Sequence, residues 1–322
     1  MNVRAVVIER FGDPSGMTMV EVPPPVADRG QVIIQTAAIG VGGVDAMIRR
    51  GTVAELHPVP AGLIPGSEVA GVVSAVGADV DASWVGRRVW AFTGIGGGYS
   101  AVAVARVADI AAIPDDLSFV DAVAVGSAGP VAHFALAHAH FTSADSVLVR
   151  GGSGSIGIAT VELAARAGAE IAVTTSSPER GERLRGFGAT HILDRDGNGA
   201  AGVPARFDVI IDIVGGPQTP AFIDRLAPNG RMVVAGMVAG PVPADVGSRL
   251  LAAFQLSRSL ATFSLDTVAA EAKDLVRREQ FVAVTRAELS AVVADVLPLE
   301  RAADAHRLMD AGQVFGRIVL TP

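Results

Sequence analysis

Short apolar runs alternating with polar residues dominate the N-terminal part of the chain. Segments 4–9, 31–38, 69–76, 88–92 and 99–105 read as strands, with glycine, proline and aspartate marking the turns between them. Many short strands in one stretch predict a compact, barrel-like β domain. From about residue 121 the period changes. Segment 120–140 has helical character, with Pro130 expected to break or bend it. Strand 146–150, helix 155–167, strand 170–175, helix 178–187 and a short strand at 191–193 follow. Strand 207–214, helix 218–226 and strand 231–235 continue the alternation, which predicts a parallel sheet with helices on both faces. Helices at 267–278 and 300–311 and a strand at 317–320 come last, and 194–204 is a polar, glycine-rich loop.

Composition narrows the field. The chain has 322 residues, 50% hydrophobic and 18% charged, which excludes disorder and suits about two domains. A formal net charge of −7 argues against a nucleic-acid partner, which needs a basic face. With no cysteine, disulfides, thiol nucleophiles and zinc held by thiolates are ruled out. Lys273 is the single lysine, so a Schiff base has one place to form. The most apolar stretch, 122–141, is interrupted by Pro130 and carries His133, His138 and His140, which makes a poor membrane span. The first residues read as a strand and not as a leader, so a cytoplasmic protein with no membrane partner is expected.

The sharpest local feature is VLVRGGSGSIG at 147–157. Gly152, Gly154 and Gly157 fit G-x-G-x-x-G: the first for the tight turn, the second for backbone approach to a pyrophosphate, the third for helix–strand packing. The amides of Ser155 and Ile156 would then face the phosphates from the helix N-terminus. An apolar strand before the turn, an amphipathic helix after it and a second strand ending at Thr175 raise the match above chance in a chain with 37 glycines.

The end of that second strand selects the dinucleotide. An NAD site usually places Asp or Glu there to hold the ribose 2′-OH. Here the run is Thr174, Thr175, Ser176, Ser177, Pro178, Glu179, Arg180. Small hydroxyls leave room for a 2′-phosphate, Ser176 can donate to it and Arg180 can supply charge, while Glu179 is expected to face solvent. NADPH is therefore favoured over NADH, and capping of the next helix by Ser176–Pro178 is compatible with that. Apolar strands ending in glycine-rich turns at 207–216 and 231–240 add Val214, Gly215, Ala235, Gly236 and Met237 as candidate cofactor contacts. Loops near 51–63, 92–98 and 252–263 are candidate pocket lining, with Phe263 placed against the cofactor.

Taken together these motifs resemble the medium-chain dehydrogenase/reductase superfamily, in its zinc-independent quinone oxidoreductase (zeta-crystallin-like) branch. The resemblance runs through AIGVGGVDAMIRRG (38–51), IPGSEVAGVVSAVG (64–77), VGRRVWAF (85–92), GGYSAVAV (97–104) and the glycine turn. It continues in FGATHILD (187–194), DAHRLMDAG (304–312) and FGRIVL (315–320). It implies a doubly wound Rossmann domain, 123–266, inserted into a β-rich GroES-like catalytic domain made of 1–122 and 267–322, with NADPH in a cleft and a homodimer. Zinc-dependent relatives carry an early Cys and a GHE motif; here those stretches read GVGGVD and Gly66-Ser67-Glu68. Quinone reductases often have Asn beside the nicotinamide where this chain has Gly42, although Asp45 is retained. A Tyr often found near the adenosine phosphate is replaced at about Arg195, which can serve the same 2′-phosphate.

Other constellations add little. His133 and His140 stand at i, i+7, too far apart for a helical chelate. Asp45 is a helix cap or, as the one catalytic candidate, a proton donor. Tyr99 in its GGY turn reads as structural, and Arg49-Arg50 and Arg277-Arg278 as solvated faces. Neither a P-loop nor a G-x-S-x-G elbow is present. The reading is an NADPH-dependent oxidoreductase that transfers hydride, without zinc, to a small-molecule quinone or enone. The alternatives are an enoyl-thioester or enone reductase and a catalytically idle NADPH-binding protein.

Overall fold

The apolar N-terminal segments fold as strands. Burial alternates along residues 31–35 and 102–106, as a side-chain period of two requires, and is nearly continuous along residues 3–8 and 88–92. The computed structural model describes residues 2–52 and 60–322. The first strands are β1 (Val3–Ile8), β2 (Met17–Val22), β3 (Gln31–Val41), β4 (Glu68–Val76), β5 (Arg88–Phe92), β6 (Val102–Arg106) and β7 (Ile110–Ala112). A second set comprises β8 (Ser146–Arg150), β9 (Glu170–Thr174), β10 (His191–Leu193), β11 (Phe207–Asp212), β12 (Leu226–Val234) and β13 (Ser259–Thr262). β14 (Val293–Pro298) and β15 (Arg317–Thr321) come last. The helices are α1 (Gly43–Arg50), α2 (Phe119–Val125), α3 (Ala128–His138), α4 (Ser155–Arg166), α5 (Pro178–Arg185), α6 (Thr219–Ile223), α7 (Val246–Ala252), α8 (Ala270–Thr285) and α9 (Ala302–Asp310). The chain divides into two compact units, Met1–Ser127 with Ala269–Pro322, and Ala128–Val268.

In the first unit the sheet order is β14-β15-β3-β4-β5-β7, with β6 also on β3 and a separate β1–β2 pair. β3 organises it: one edge takes β4, while the other is shared by β6 over Gln31–Gln35 and β15 over Ile39–Val41. Register shifts between Ile33 and Ile34 and between Thr36 and Ala38 bend the sheet around a core that includes Ile34, Ile39, Val69, Val89 and Ile318. α2 covers a second cluster, where Ala122, Val123 and Val125 meet Trp90, Phe281 and Val319.

The second unit is a parallel sheet in the order β10-β9-β8-β11-β12-β13. Strand order reverses between β8 and β11, the switch point at which a doubly wound sheet opens a crevice past its carboxyl ends. Leu148, Ala172, Ile210, Phe222 and Met232 form part of its core.

Several boundaries differ from expectation. The apolar helix breaks at Gly126–Ser127 and not at Pro130, which lies in the first turn of α3 where its missing N–H has no acceptor to lose. Phe119–His138 is long and apolar enough by composition to cross a membrane, but it is broken in two and more than half buried, so its apolar side chains serve core packing. Helix 218–226 shortens to α6, and β12 starts earlier, at Leu226. Of the 51–63 loop assigned to pocket lining, residues 53–59 lie outside the described residues.

Candidate functional site

The turn after β8 is built much as the motif requires, with one reassignment of roles. Gly151, not Gly152, adopts the left-handed φ of 91°, and its amide donates to Thr174 Oγ1 at 3.0 Å. Gly152 is required for a steric reason: a Cβ there would lie 1.9 Å from Val173 Cγ2. A Cβ on Gly157 would lie 2.4 Å from the Gly151 carbonyl oxygen, so the helix can close on the turn only with glycine. Gly154 is the N-cap of α4, and a Cβ there would meet nothing within 4 Å. Ser155, Ile156 and Gly157 open α4, so their amides have no acceptors within the helix. Free amides beneath an open backbone, at the switch between β8 and β11, fit the pyrophosphate of a dinucleotide.

Past β9 the hydroxyls divide their work. Ser177 caps α5, accepting the Arg180 amide at 3.3 Å. Ser176 is not the cap; its Oγ accepts from Arg180 Nη1 at 3.1 Å. Thr175 Oγ1 lies 2.9 Å from Ser153 Oγ, joining this segment to the glycine turn. Glu179 is exposed. Arg195 stands on a turn that the Asp194 carboxylate builds by accepting the amides of Asp196 at 2.9 Å and Asn198 at 2.8 Å. Burial, then the positive charges of Arg195 and Arg183, hold the Arg180 guanidinium below its ordinary value. Cations gathered in this way are poised for an anion.

The loop after β11 adjoins the glycine turn, and the loop after β12 packs against the loop after β11. A Cβ on Gly151 would lie 2.8 Å from Val214 Cγ2. Gly215 is left-handed at φ 64° and packs so tightly that a Cβ would lie 3.1 Å from both the Gly236 carbonyl and Met237 Cα. Ala235 donates its amide to the Asp212 carbonyl at 2.8 Å, which ties the two loops together. Phe263 follows β13, its amide on the Val234 carbonyl at 3.0 Å and its ring 5.8 Å from that of His138. The second unit thus brings together the glycine turn, Thr175, Ser176, Arg180 and the Val214–Gly215 and Ala235–Met237 loops.

Gly42 and Asp45 belong to the first unit. Asp45 is wholly buried and closes the start of α1, accepting the Gly42 amide at 2.8 Å. Ser67 Oγ donates to its Oδ1 and Tyr99 Oη to its Oδ2, each at 3.5 Å. Burial, opposed by the Gly42 amide and the Arg317 charge, pushes the carboxyl up to about 6. Nearby, Glu68 takes Arg317, the Trp90 indole at 2.5 Å and the Ser127 amide at 2.9 Å. Two expectations of solvated arginines fail here. Arg49 is 1% exposed and bonds His306 and Asp310. Arg277 is 5% exposed, lies over the Trp90 ring at 3.8 Å and donates to the Gly126 carbonyl at 2.7 Å.

Comparison with known proteins matches residues 28–115 to the alcohol dehydrogenase GroES-like domain and residues 187–320 to the zinc-binding dehydrogenase family. The quinone oxidoreductase of Homo sapiens is 31% identical over 73% of each chain. A 2-haloacrylate reductase from a Burkholderia species is 30% identical over 99% of each. A mycobacterial protein solved in complex with NADPH superposes with a TM-score of 0.90 at 28% identity, covering 99% of this chain and 100% of that one. The chain belongs to the quinone oxidoreductase branch of the medium-chain dehydrogenase/reductase superfamily.

As a member of that branch the protein is an oxidoreductase, with a GroES-like first unit and a Rossmann-like second unit that takes a nicotinamide cofactor. The Asn of many quinone reductases is Gly42 here, and crowding does not demand the change: a Cβ would sit 3.4 Å from Asp45 Oδ2, an ordinary contact. Sequence reasoning passed over Arg150 and Asp212, which end two otherwise apolar parallel strands and meet in a buried ion pair. A charged residue closing an apolar strand at this end of the sheet was the available signal.

Proposed function

We propose that this oxidoreductase is NADPH-dependent and zinc-independent, and that it reduces a quinone or related conjugated carbonyl. The observation that carries the cofactor choice is the Ser176–Arg180 pair past β9, with Arg195 beside it and hydroxyls in place of the acidic residue an NAD site uses. Zinc does not fit the donor set. The chain has no cysteine, and Gly42 and Ser67 stand where zinc-dependent relatives carry ligands. Asp45 and Glu68 are already committed to the Gly42 amide and to Arg317, and among the described residues no cluster of three His, Asp or Glu could hold a metal.

When bound, the nicotinamide supplies the hydride. The residues of this chain orient it: the amides of Ser155 and Ile156 receive the pyrophosphate, and Ser176, Arg180 and Arg195 receive the 2′-phosphate. Loops Val214–Gly215 and Ala235–Met237 wall the crevice. A quinone takes its proton from water once reduced, so no dedicated acid is needed, and Asp45 serves as the cap of α1. Reduction of an activated C=C bond is a second reading, favoured by the Burkholderia 2-haloacrylate reductase, which matches 99% of this chain. NADPH oxidation should be followed with a panel of quinones, enones, haloacrylates and enoyl thioesters. Turnover with quinones, and tighter binding of NADPH than NADH, are expected; turnover confined to activated alkenes would overturn the quinone assignment.

We also propose a homodimer. β13 is a terminal strand of the parallel sheet, and Leu251 and Phe254 just before it are 73% and 74% exposed. An open edge flanked by apolar side chains pairs readily with a second copy across a two-fold axis. Light scattering after size exclusion should give twice the chain mass, and a monomer would refute the pairing.

A further inference from the structure

We infer that Arg150 and Asp212 are a positioning pair that sets the dinucleotide-contacting loops into binding geometry before any cofactor arrives. The inference rests on the nicotinamide-dinucleotide reading of the second unit. Arg150 ends β8 and Asp212 ends β11, on either side of the switch point, and the two are 2% and 0% exposed. Arg150 Nη1 meets Asp212 Oδ2 at 2.9 Å and donates to the Gly215 carbonyl at 2.8 Å. Its Nη2 donates to Gln218 Oε1 at 3.3 Å, and the guanidinium lies over the Phe222 ring at 4.4 Å. Asp212 Oδ1 accepts the amides of Val214 at 2.8 Å and Gly215 at 3.0 Å, while Thr219 Oγ1 donates to Oδ2 at 3.4 Å.

Three of these hydrogen bonds fall on one loop, at Val214 and Gly215, and the rest reach Gln218, Thr219 and Phe222 at the start of α6. The loop turns sharply at Gly215 and touches the glycine turn through Val214. Stability alone does not explain the arrangement, because an apolar pair of similar volume would serve a buried position as well or better. What apolar side chains cannot supply is direction. The carboxylate fixes two consecutive amides and the guanidinium fixes the carbonyl of the same peptide segment, so the loop has one conformation available. Arg150 is covalently next to Gly151, so the same guanidinium that holds the loop also ties it to the phosphate-binding turn. A preformed loop spares the cofactor the entropy of ordering it.

The test uses Asp212→Asn and the neutral double variant R150Q/D212N, each as the full chain. Asp212→Asn leaves a buried cation without its counter-charge and should be less stable than the double variant. The double variant removes both charges and is the informative one. In the nucleotide-free protein, amide hydrogen exchange over 213–216 should be at least tenfold faster in the double variant than in the unaltered chain. The Kd for NADPH, read by intrinsic or cofactor fluorescence, should rise at least tenfold, and KM should rise more than kcat falls. A double variant that folds, exchanges and binds NADPH like the unaltered chain overturns the positioning role. An unaltered chain that binds neither NADPH nor NADH overturns the dinucleotide reading beneath it, and the two failures are thereby distinct.

Discussion

The hydroxyl of Tyr99 lies 3.0 Å from Nε2 of His306, and their rings meet edge to face with centroids 5.8 Å apart. His306 Nδ1 accepts from Arg49 Nε at 3.3 Å, so the ring proton sits on Nε2 and is donated to Tyr99. Tyr99 in turn donates toward Asp45 Oδ2 at 3.5 Å. One directed chain of hydrogen bonds therefore runs from Arg49 to the cap of α1. Arg49 is anchored at its far end by Asp310 at 2.7 Å.

This chain makes the protein acid-sensitive through His306. Burial, reinforced by the Arg49 charge, holds the imidazole down at about 3, against 6.5 for a free histidine. The unfolded state takes a proton that the folded state refuses, so the stabilisation is complete above pH 6.5 and is lost as pH falls toward 3. The full loss is on the order of 5 kcal/mol. Urea unfolding at a series of pH values should show a steeper loss of stability below pH 6 for the unaltered chain than for His306→Gln. Parallel slopes in the two would remove His306 from the account.

Asp45 acts with the opposite sign. Its carboxyl is raised to about 6 by burial, so the folded state prefers it protonated. That contribution is complete below about pH 4 and is lost as pH rises through 6, a change on the order of 3 kcal/mol. Asp45→Asn keeps an acceptor for the Gly42 amide and does not titrate. Its stability relative to the unaltered chain should therefore rise between pH 4 and pH 7. A difference that stays constant across that range would contradict the burial argument.

The two glycines of the turn should separate folding from binding. Gly157→Ala places a methyl against the Gly151 carbonyl, where overpacking costs about 1–3 kcal/mol, seen as a lowered melting temperature. Gly154→Ala meets open space at a φ of −81° and forfeits only the N-cap preference of Gly over Ala, less than about 1 kcal/mol, so the protein should melt only slightly lower. Its methyl would instead occupy the approach to the α4 amides, and NADPH affinity should fall at least fivefold. Unchanged affinity in Gly154→Ala would place the pyrophosphate elsewhere.

Removing the Arg180 guanidinium tests the choice of cofactor. A charged hydrogen bond to phosphate contributes about 1.5–3 kcal/mol, so Arg180→Ala should weaken NADPH binding roughly tenfold to a hundredfold. NADH lacks the 2′-phosphate, and its affinity should move much less. An equal loss for both nucleotides, measured by titration, would take Arg180 out of the phosphate site.

At Gly42 the backbone, with φ −108° and ψ 161°, suits any residue and the contacts leave room. Gly42→Asn should fold with stability within about 0.5 kcal/mol of the unaltered chain, since Asn is at least as good an N-cap as Gly. A large loss in thermal unfolding would show that the glycine is structurally required after all.

Much of the second unit was legible because its signals are local. The change of period near residue 121, the apolar strands and the spacing of Gly152, Gly154 and Gly157 each lie within a few residues of one another. Edge elements were harder. β13, β14 and α7 expose much of their length, so their apolar positions show no clean period. The helix breaks at Gly126–Ser127, where a Cβ on Gly126 would lie 2.2 Å from the Trp90 indole nitrogen, so the glycine there is required by a contact made across the fold. Pro130, the obvious local breaker, sits where breaking costs nothing.

The sequence by itself determined the fold class, the family resemblance and the glycine turn, because periodicity and glycine spacing act over one or two turns of chain. Tertiary structure alone decided which polar residues are buried and what they hold. Arg150 and Asp212 are 62 residues apart, and Tyr99 and His306 are 207 apart. Charge at such separations carries no sign of its partner until strands from distant segments are brought side by side. Once burial removes water, each of these groups must find its hydrogen bonds within the protein.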